Sequence, residues 1–234
     1  MTCHKYGGAG AADLKHLLRN GQLTSITLVE QCLAQIQRHE PTLNALAFIA
    51  PRNSVLRIEY ELNDERQRGC VRSSLHGIPV VLNLGIKTCA RAVAFADAKA
   101  SRNAAAVQKM IDAGVIVIAK GNMTLAGMKT VTMMPGWSAY RDQTVSLHVG
   151  GTKKNEQLLG HLAPGGLSTG PAVSVVTGFT PPAMGAETIG SIITPSVCMA
   201  LYALKPTIGT QDASRIGRWR KGCASSFQER PSKW

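Results

Sequence analysis

Apolar positions recur at helical spacing through the first third of the chain, and at strand length beyond it. Residues 9–20 and 25–40 carry the helical pattern; in the second segment Leu28, Cys32, Leu33 and Ile36 share a face. Thr27, with Glu30 three residues on, has the spacing of a capping box, so Thr27 is the predicted N-cap and Pro41 the predicted stop. Residues 53–68 predict a third, very polar helix, capped by Asn53 or Ser54 and closed by Gly69. The pattern then changes. Gly77 to Leu82 and Val115 to Ala119 are short, continuous apolar runs that read as strands buried on both faces. Residues 103–113 between them predict a helix ending at Gly114, so the unit is a crossover with parallel strands. From Gly165 onward glycine, serine, threonine and proline dominate. A helix is predicted over Pro171 to Val176, with proline tolerated in its first turn. A short strand near Ala183 to Gly185, a loop through Ser191 and a helix near Ser196 to Ala203 follow. No repeat or low-complexity block interrupts this order, and the fold class is α/β.

Length and composition narrow the picture. The 234 residues fit one large domain or two small ones, and 44% hydrophobic with 17% charged residues argues against wholesale disorder. No apolar run approaches the ~18 residues of a membrane span, and the first residues lack the apolar core of a signal peptide. The six cysteines, at positions 3, 32, 70, 89, 198 and 223, form neither a CxxC pair nor a zinc spacing with histidine. Scattered thiols of this kind fit a reducing compartment, and a cytoplasmic location is expected. The net charge is +12, and residues 215–234 hold six Lys or Arg against one acid, Glu229. Such a segment is either a basic arm for nucleic acid or a solvated tail. No nucleic-acid motif supports the first, so residues 1–8 and 214–234 are expected to be tails, the second basic and disordered. His148, His161 and Cys198 have no metal-ligand spacing, and no phosphate loop or dinucleotide fingerprint is present. Neither a metal nor a cofactor is expected, and neither a membrane nor a nucleic acid is an expected partner.

The glycine- and serine-rich region carries a recognisable series of motifs. Pro164-Gly165-Gly166-Leu167-Ser168-Thr169-Gly170 is followed by Met184-Gly185-Ala186-Glu187-Thr188-Ile189-Gly190-Ser191-Ile192-Ile193-Thr194-Pro195, and then by Leu204-Lys205-Pro206-Thr207. Leu75 to Leu82, Lys120 to Thr124 and Pro135 to Ala139 precede them. In this order they resemble the amidase signature family, in particular its branch common in filamentous fungi, over roughly residues 10 to 213. The resemblance implies one domain over 9–213 with a mixed central β-sheet flanked by helices. It also implies an incomplete fold, because family members run to about twice this length. After Gly209 to Asp212 the likeness ends.

The family hydrolyses amides with a serine nucleophile, a relay serine held by a cis peptide bond, and a neutral lysine as base. Serine is a weak nucleophile and needs a base beside it; a lysine serves when its surroundings lower its pKa. By resemblance Ser191 occupies the nucleophile position, and the backbone amides of Thr188, Ile189, Gly190 and Ser191 the oxyanion hole. The relay position falls on Leu167, which has no hydroxyl. Ser168 matches the family's second serine, which is not the relay, and Pro171 replaces a residue that is usually small or polar. The lysine position falls on Asn83, whose amide has no useful basicity. Lys87, four residues on, reads as a surface lysine. Glu187 and Lys205 are expected to orient backbone or to pair locally, His76 to belong to the strand entrance, and Trp137 to be a packing anchor.

Two functional readings follow. One is an amidase-family hydrolase of carbon–nitrogen bonds, impaired or inactive because two triad positions are lost, acting on a small-molecule amide if active. The other is a non-catalytic paralogue or gene fragment that acts, if at all, by binding. Sequence missing from the sheet also predicts self-association through an exposed sheet edge.

Overall fold

The computed structural model describes residues 9–83, 102–124, 136–148, 164–187, 189–207, 210 and 224–229, the last group by its backbone alone. Three helices come first: α1 (Ala11–Arg19), α2 (Ser25–Leu43) and α3 (Arg52–Gln67). A short strand, β1 (Leu46–Ile49), lies between the last two. The crossover follows, with β2 (Pro79–Leu82), α4 (Ala105–Asp112) and β3 (Ile116–Gly121). A two-stranded ribbon, β4 (Trp137–Ser138) and β5 (Asp142–Gln143), precedes α5 (Thr169–Val176) and β6 (Pro182–Glu187). The chain then forms α6 (Ile193–Cys198), β7 (Tyr202–Ala203) and β8 (Ala224–Glu229).

The main sheet has six strands in the order β1-β3-β2-β6-β8-β7. β3, β2 and β6 run parallel, while β1, β8 and β7 pair antiparallel with their neighbours, so the sheet is mixed. Alternation along β2 explains why it reads as an unbroken apolar run. Val80 and Leu82 join Val107, Met110 and Met184 in the core under α4, while Val81 joins Ile36, Ile118 and Phe179 in the core under α2 and α5. Each such side chain contributes about 1.5–3 kcal/mol on burial.

Several boundaries differ from the sequence reading, each for a local reason. The N-cap of α2 is Thr24, not Thr27: its Oγ1 accepts the Thr27 N–H at 3.1 Å and satisfies one orphan donor of the first turn. Pro41 lies inside α2 rather than ending it. It falls in the last turn, where its ring forgoes one N–H bond to the carbonyl four residues back, and Asn44 ends the helix in the left-handed region with φ 51°. The cap of α3 is Pro51, ahead of Asn53 and Ser54. The helix predicted over Ser196 to Ala203 is instead α6 ending at Cys198, with Tyr202 and Ala203 in a strand.

Two strands of the main sheet lie outside the elements predicted from the sequence. β1 is held by Glu40, whose carboxylate accepts the N–H groups of Ala45 at 2.9 Å and Leu46 at 2.7 Å, with Arg141 at 3.8 Å. Burial pushes the Glu40 carboxyl up to about 7 against the pull of these partners. β8 corrects the expectation of a disordered tail for its part of 214–234. Ala224 to Glu229 pair with all six residues of β6, and Gln228 and Glu229 also pair with β7.

Candidate active site

The parallel strands β2 and β6 end side by side, and the loops that follow them carry the candidate chemistry. Asn83 is the residue after β2; its N–H donates to the carbonyl of Met184 in β6 at 2.9 Å. Its side chain is buried, and Nδ2 donates to Ser168 Oγ at 2.9 Å. Asn83 Oδ1 is buried without a hydrogen-bond partner. Ser168 is the N-cap residue of α5, and its N–H donates to the carbonyl of Ser191 at 2.8 Å. Its Oγ also receives the N–H of Ala186 at 3.3 Å. The structure therefore brings Asn83, Ser168 and the Ser191 loop together, with Ser168 as the shared member.

Glycine makes this closeness feasible. A Cβ on Gly185 would meet Ser168 Oγ at 2.8 Å, and one on Gly166 would meet Pro195 Cδ at 2.4 Å. Gly166 has φ 58° and Gly190 φ 72°, in the left-handed region that side chains rarely adopt. The glycine loop is pinned from the other side by Thr124, which donates from N to the Leu167 carbonyl at 3.1 Å and from Oγ1 to the Gly166 carbonyl at 2.7 Å. Asn122 ties that segment down: it accepts from Ser138 Oγ at 2.8 Å, donates to Thr144 Oγ1 at 3.0 Å, and accepts the Gly170 N–H at 2.9 Å.

Ser191 is buried in the turn between β6 and α6. Glu187, the last residue of β6, organises that turn. Its Oε2 accepts the N–H groups of Ile192 at 2.7 Å and Ile193 at 2.8 Å, and Oε1 pairs with Lys205 at 3.4 Å. Burial alone would raise its pKa, but the Ile193, Ile192 and Gly190 N–H groups together with Lys205 outweigh it and hold the carboxyl below its ordinary range. The expectation that Glu187 and Lys205 orient backbone and pair locally describes this arrangement. It also bears on the oxyanion hole. The Gly190 N–H is directed at Glu187, Ile189 is exposed, and Thr188 lies outside the described residues.

Leu167, to which the resemblance gives the relay position, is half-buried and contributes only its carbonyl to the contacts given above. No peptide bond among the described residues is cis, so the cis bond implied for this position is not found. Lys87 and His161 lie outside the described residues. His76 is structural, as expected: Nδ1 accepts the Arg72 N–H at 3.2 Å, which leaves Nε2 to donate to the Leu62 carbonyl at 2.8 Å. Sequence reasoning sets Ser168 aside because it matches the wrong serine. Its contact with Asn83, across 85 residues, is a property of the fold and has no local signal.

A mixed sheet with a glycine loop and a serine turn at the ends of neighbouring strands defines an amidase-signature fold. The sequence profile of the family, Amidase, matches residues 27–228, and the chain belongs to that family. The match runs through most of β8, beyond the point at which the motifs end. A Schizosaccharomyces pombe relative whose name places it among the amidases is 34% identical over 88% of this chain and 34% of its own length. A glutamyl-tRNA(Gln) amidotransferase polypeptide of Chloroflexus aggregans is 31% identical over 93% of this chain and 42% of its own. Among solved structures, the peptide amidase of Stenotrophomonas maltophilia superposes with a TM-score of 0.82 at 28% identity, over 97% of this chain and 46% of that one. An amidase family protein of Bacillus anthracis gives 0.84 at 27% identity, over 97% and 45%. The chain thus spans less than half the length of these relatives.

Proposed function

We propose that this chain is a member of the amidase family that does not turn over amides efficiently and acts, where it acts, by binding a small-molecule amide. One observation carries the reading: an asparagine stands where the resemblance places the lysine base, and its amide nitrogen donates to Ser168 Oγ at 2.9 Å. An amide group that donates to a hydroxyl cannot also withdraw its proton. Leu167 offers no hydroxyl to carry a proton from Ser191 to a base. Loss of triad members leaves only what binding and the oxyanion donors supply, roughly 10³–10⁴-fold over water. These groups act as a unit, so losing two is nearly as costly as losing all three. The free thiols Cys32, Cys70 and Cys198 support a cytoplasmic location. No helix among the described residues is long and apolar enough to cross a membrane.

The test is hydrolysis of a panel of aryl and alkyl amides by the purified chain and by its Ser191→Ala variant. Equal, background-level release of ammonia or amine is the expected result. Turnover that disappears in Ser191→Ala would overturn the reading and make Lys87 the next base to substitute.

A further inference from the structure

Between α1, α3 and the loop before β2 lies a cavity of about 310 Å³, at the lower bound of the ~300–1,000 Å³ typical of small-molecule sites. Lys15, Leu18 and Arg19 line it from α1; at this spacing they share a helix face. Arg66 lines it from the last turn of α3, and Val71 and Ser74 from the loop. Among the described residues no acidic side chain lines it. His76 does, but its ring nitrogens are already bonded to the Arg72 N–H and the Leu62 carbonyl.

The three cations have no counter-ion. Lys15 Nζ donates only to the neutral Ser74 Oγ, at 3.0 Å, which leaves the Ser74 hydroxyl its own hydrogen to donate. The Arg19 guanidinium has no partner among the described residues. Arg66 is half-buried: Nη2 donates to the His76 carbonyl at 2.6 Å, and Nε is buried without a hydrogen-bond partner. Burial pulls the Arg66 pKa below its ordinary value. Nearby acids on α1 and α3 are engaged elsewhere. Asp13 accepts the Gly10 N–H at 3.2 Å, Asp64 pairs with Arg68 at 2.6 Å, and Glu65 pairs with Arg72. A guanidinium that has lost water and gained no carboxylate favours an anion beside it. Three positive charges and a hydroxyl donor offer more than one carboxylate neutralises, whereas a tetrahedral dianion can accept from all of them. Leu18 and Val71 give the same cavity an apolar side.

We propose that this cavity binds a small organic phosphate monoester, its dianion held by Lys15, Arg19 and Arg66 and its organic group against Leu18 and Val71. The site shares no residue with the Asn83–Ser168–Ser191 region and does not depend on amide chemistry there. Calorimetric titration of the full chain with phenyl phosphate tests it, at about pH 7.5, above the second phosphate pKa of ~6. Benzoate is the monoanionic comparison, inorganic phosphate the one without an organic group, and phosphatidate vesicles the membrane-borne one. One phenyl phosphate per chain should bind saturably, about tenfold or more tighter than benzoate or inorganic phosphate, and more weakly as salt is raised. Lys15→Gln with Arg19→Gln should weaken it about tenfold or more without lowering the thermal transition, because both side chains are exposed. Arg66→Met should abolish it; if loss of the bond to His76 prevents folding, the Lys15 and Arg19 variant still decides. Arg102→Gln with Lys109→Gln removes two charges at another surface cavity and should leave binding unchanged. Absence of saturable phenyl phosphate binding, benzoate or inorganic phosphate binding as tightly, or binding to the vesicles alone would overturn the proposal. So would binding that survives the Lys15 and Arg19 changes, or an equal loss in the Arg102 and Lys109 variant.

Discussion

At Glu187 two effects compete, and the outcome sets the shape of the Ser191 turn. Desolvation opposes the charge, but the backbone N–H groups and Lys205 win, so the carboxyl stays ionised below its ordinary value of 4.5. Its stabilisation is therefore present above that value and is lost as pH falls below it through the folded pKa. Glu187→Gln removes the charged acceptor and turns an NH₂ group toward N–H donors. It should destabilise the fold by about 1–3 kcal/mol at pH 7, measured by urea unfolding. Glu59 is the opposite case. It is 0% exposed in α3, and both carboxyl oxygens lack a partner. Burial, reinforced by Glu30, pushes its pKa from 4.5 up to about 7. The unfolded chain releases this proton first, so stability should fall as pH rises from about 4.5 to about 7. Glu59→Met should gain about 1–3 kcal/mol above pH 7 and reduce the slope of that part of the profile, leaving the share of Glu40, which is also pushed up to about 7. An unchanged profile in the variant would show that another group sets it. Glu187 is legible in the sequence because it sits inside a motif with a known spacing. Glu59 is not, since a glutamate in a polar helix carries no mark of which face it occupies. The Asn83–Ser168 contact is hidden for a related reason: one residue reads as a lost base and the other as the wrong serine.

At the scale of elements, legibility follows hydrophobic pattern. β2, β3 and α4 are apolar enough to be read directly, and their crossover arrangement follows from length and handedness. β1 is as apolar as β2 and is missed all the same, whereas β8 owes its existence to partners outside its own segment. β1 starts where Glu40 holds its first N–H groups, and β8 is a polar segment that gains its hydrogen bonds only from β6 and β7. A basic, irregular composition points to a tail because composition is blind to an unfilled position between two strands. The sheet order makes the consequence testable. β8 alone bridges β6 to β7, and Gln228 pairs with Ala183 on one side and Ala203 on the other. Proline at this position removes an N–H that faces one strand or the other. Gln228→Pro should lower stability by about 1–3 kcal/mol and broaden the thermal transition followed by circular dichroism. A variant with wild-type unfolding would mean that β8 contributes little to the folded state.

For the whole molecule, the sheet edges decide how the chain behaves among its own copies. β7 ends the six-stranded order, so one side of it has no strand partner among the described residues. Beside it the surface is unusually apolar: Ile193 and Val197 on α6, Tyr202 on β7, and Leu204 just beyond are all exposed, Val197 by 74% and Tyr202 by 68%. Ile193 and Val197 are four residues apart and share a helix face. An open strand edge flanked by contiguous apolar side chains favours addition of another strand, and a second copy supplies an identical edge. We propose that self-association, if it occurs, uses this edge, with β7 pairing with its counterpart in a second copy and covering these side chains. The net charge of +12 opposes the contact at long range, so association should strengthen as salt screens it. Sedimentation velocity over a range of protein and salt concentrations should show a larger species that grows with both. Val197→Lys with Tyr202→Lys should return the chain to monomer without lowering its thermal transition, because neither side chain is buried. A compact monomer under all these conditions, in the chain and in the variant alike, would show that this edge is closed to a second copy.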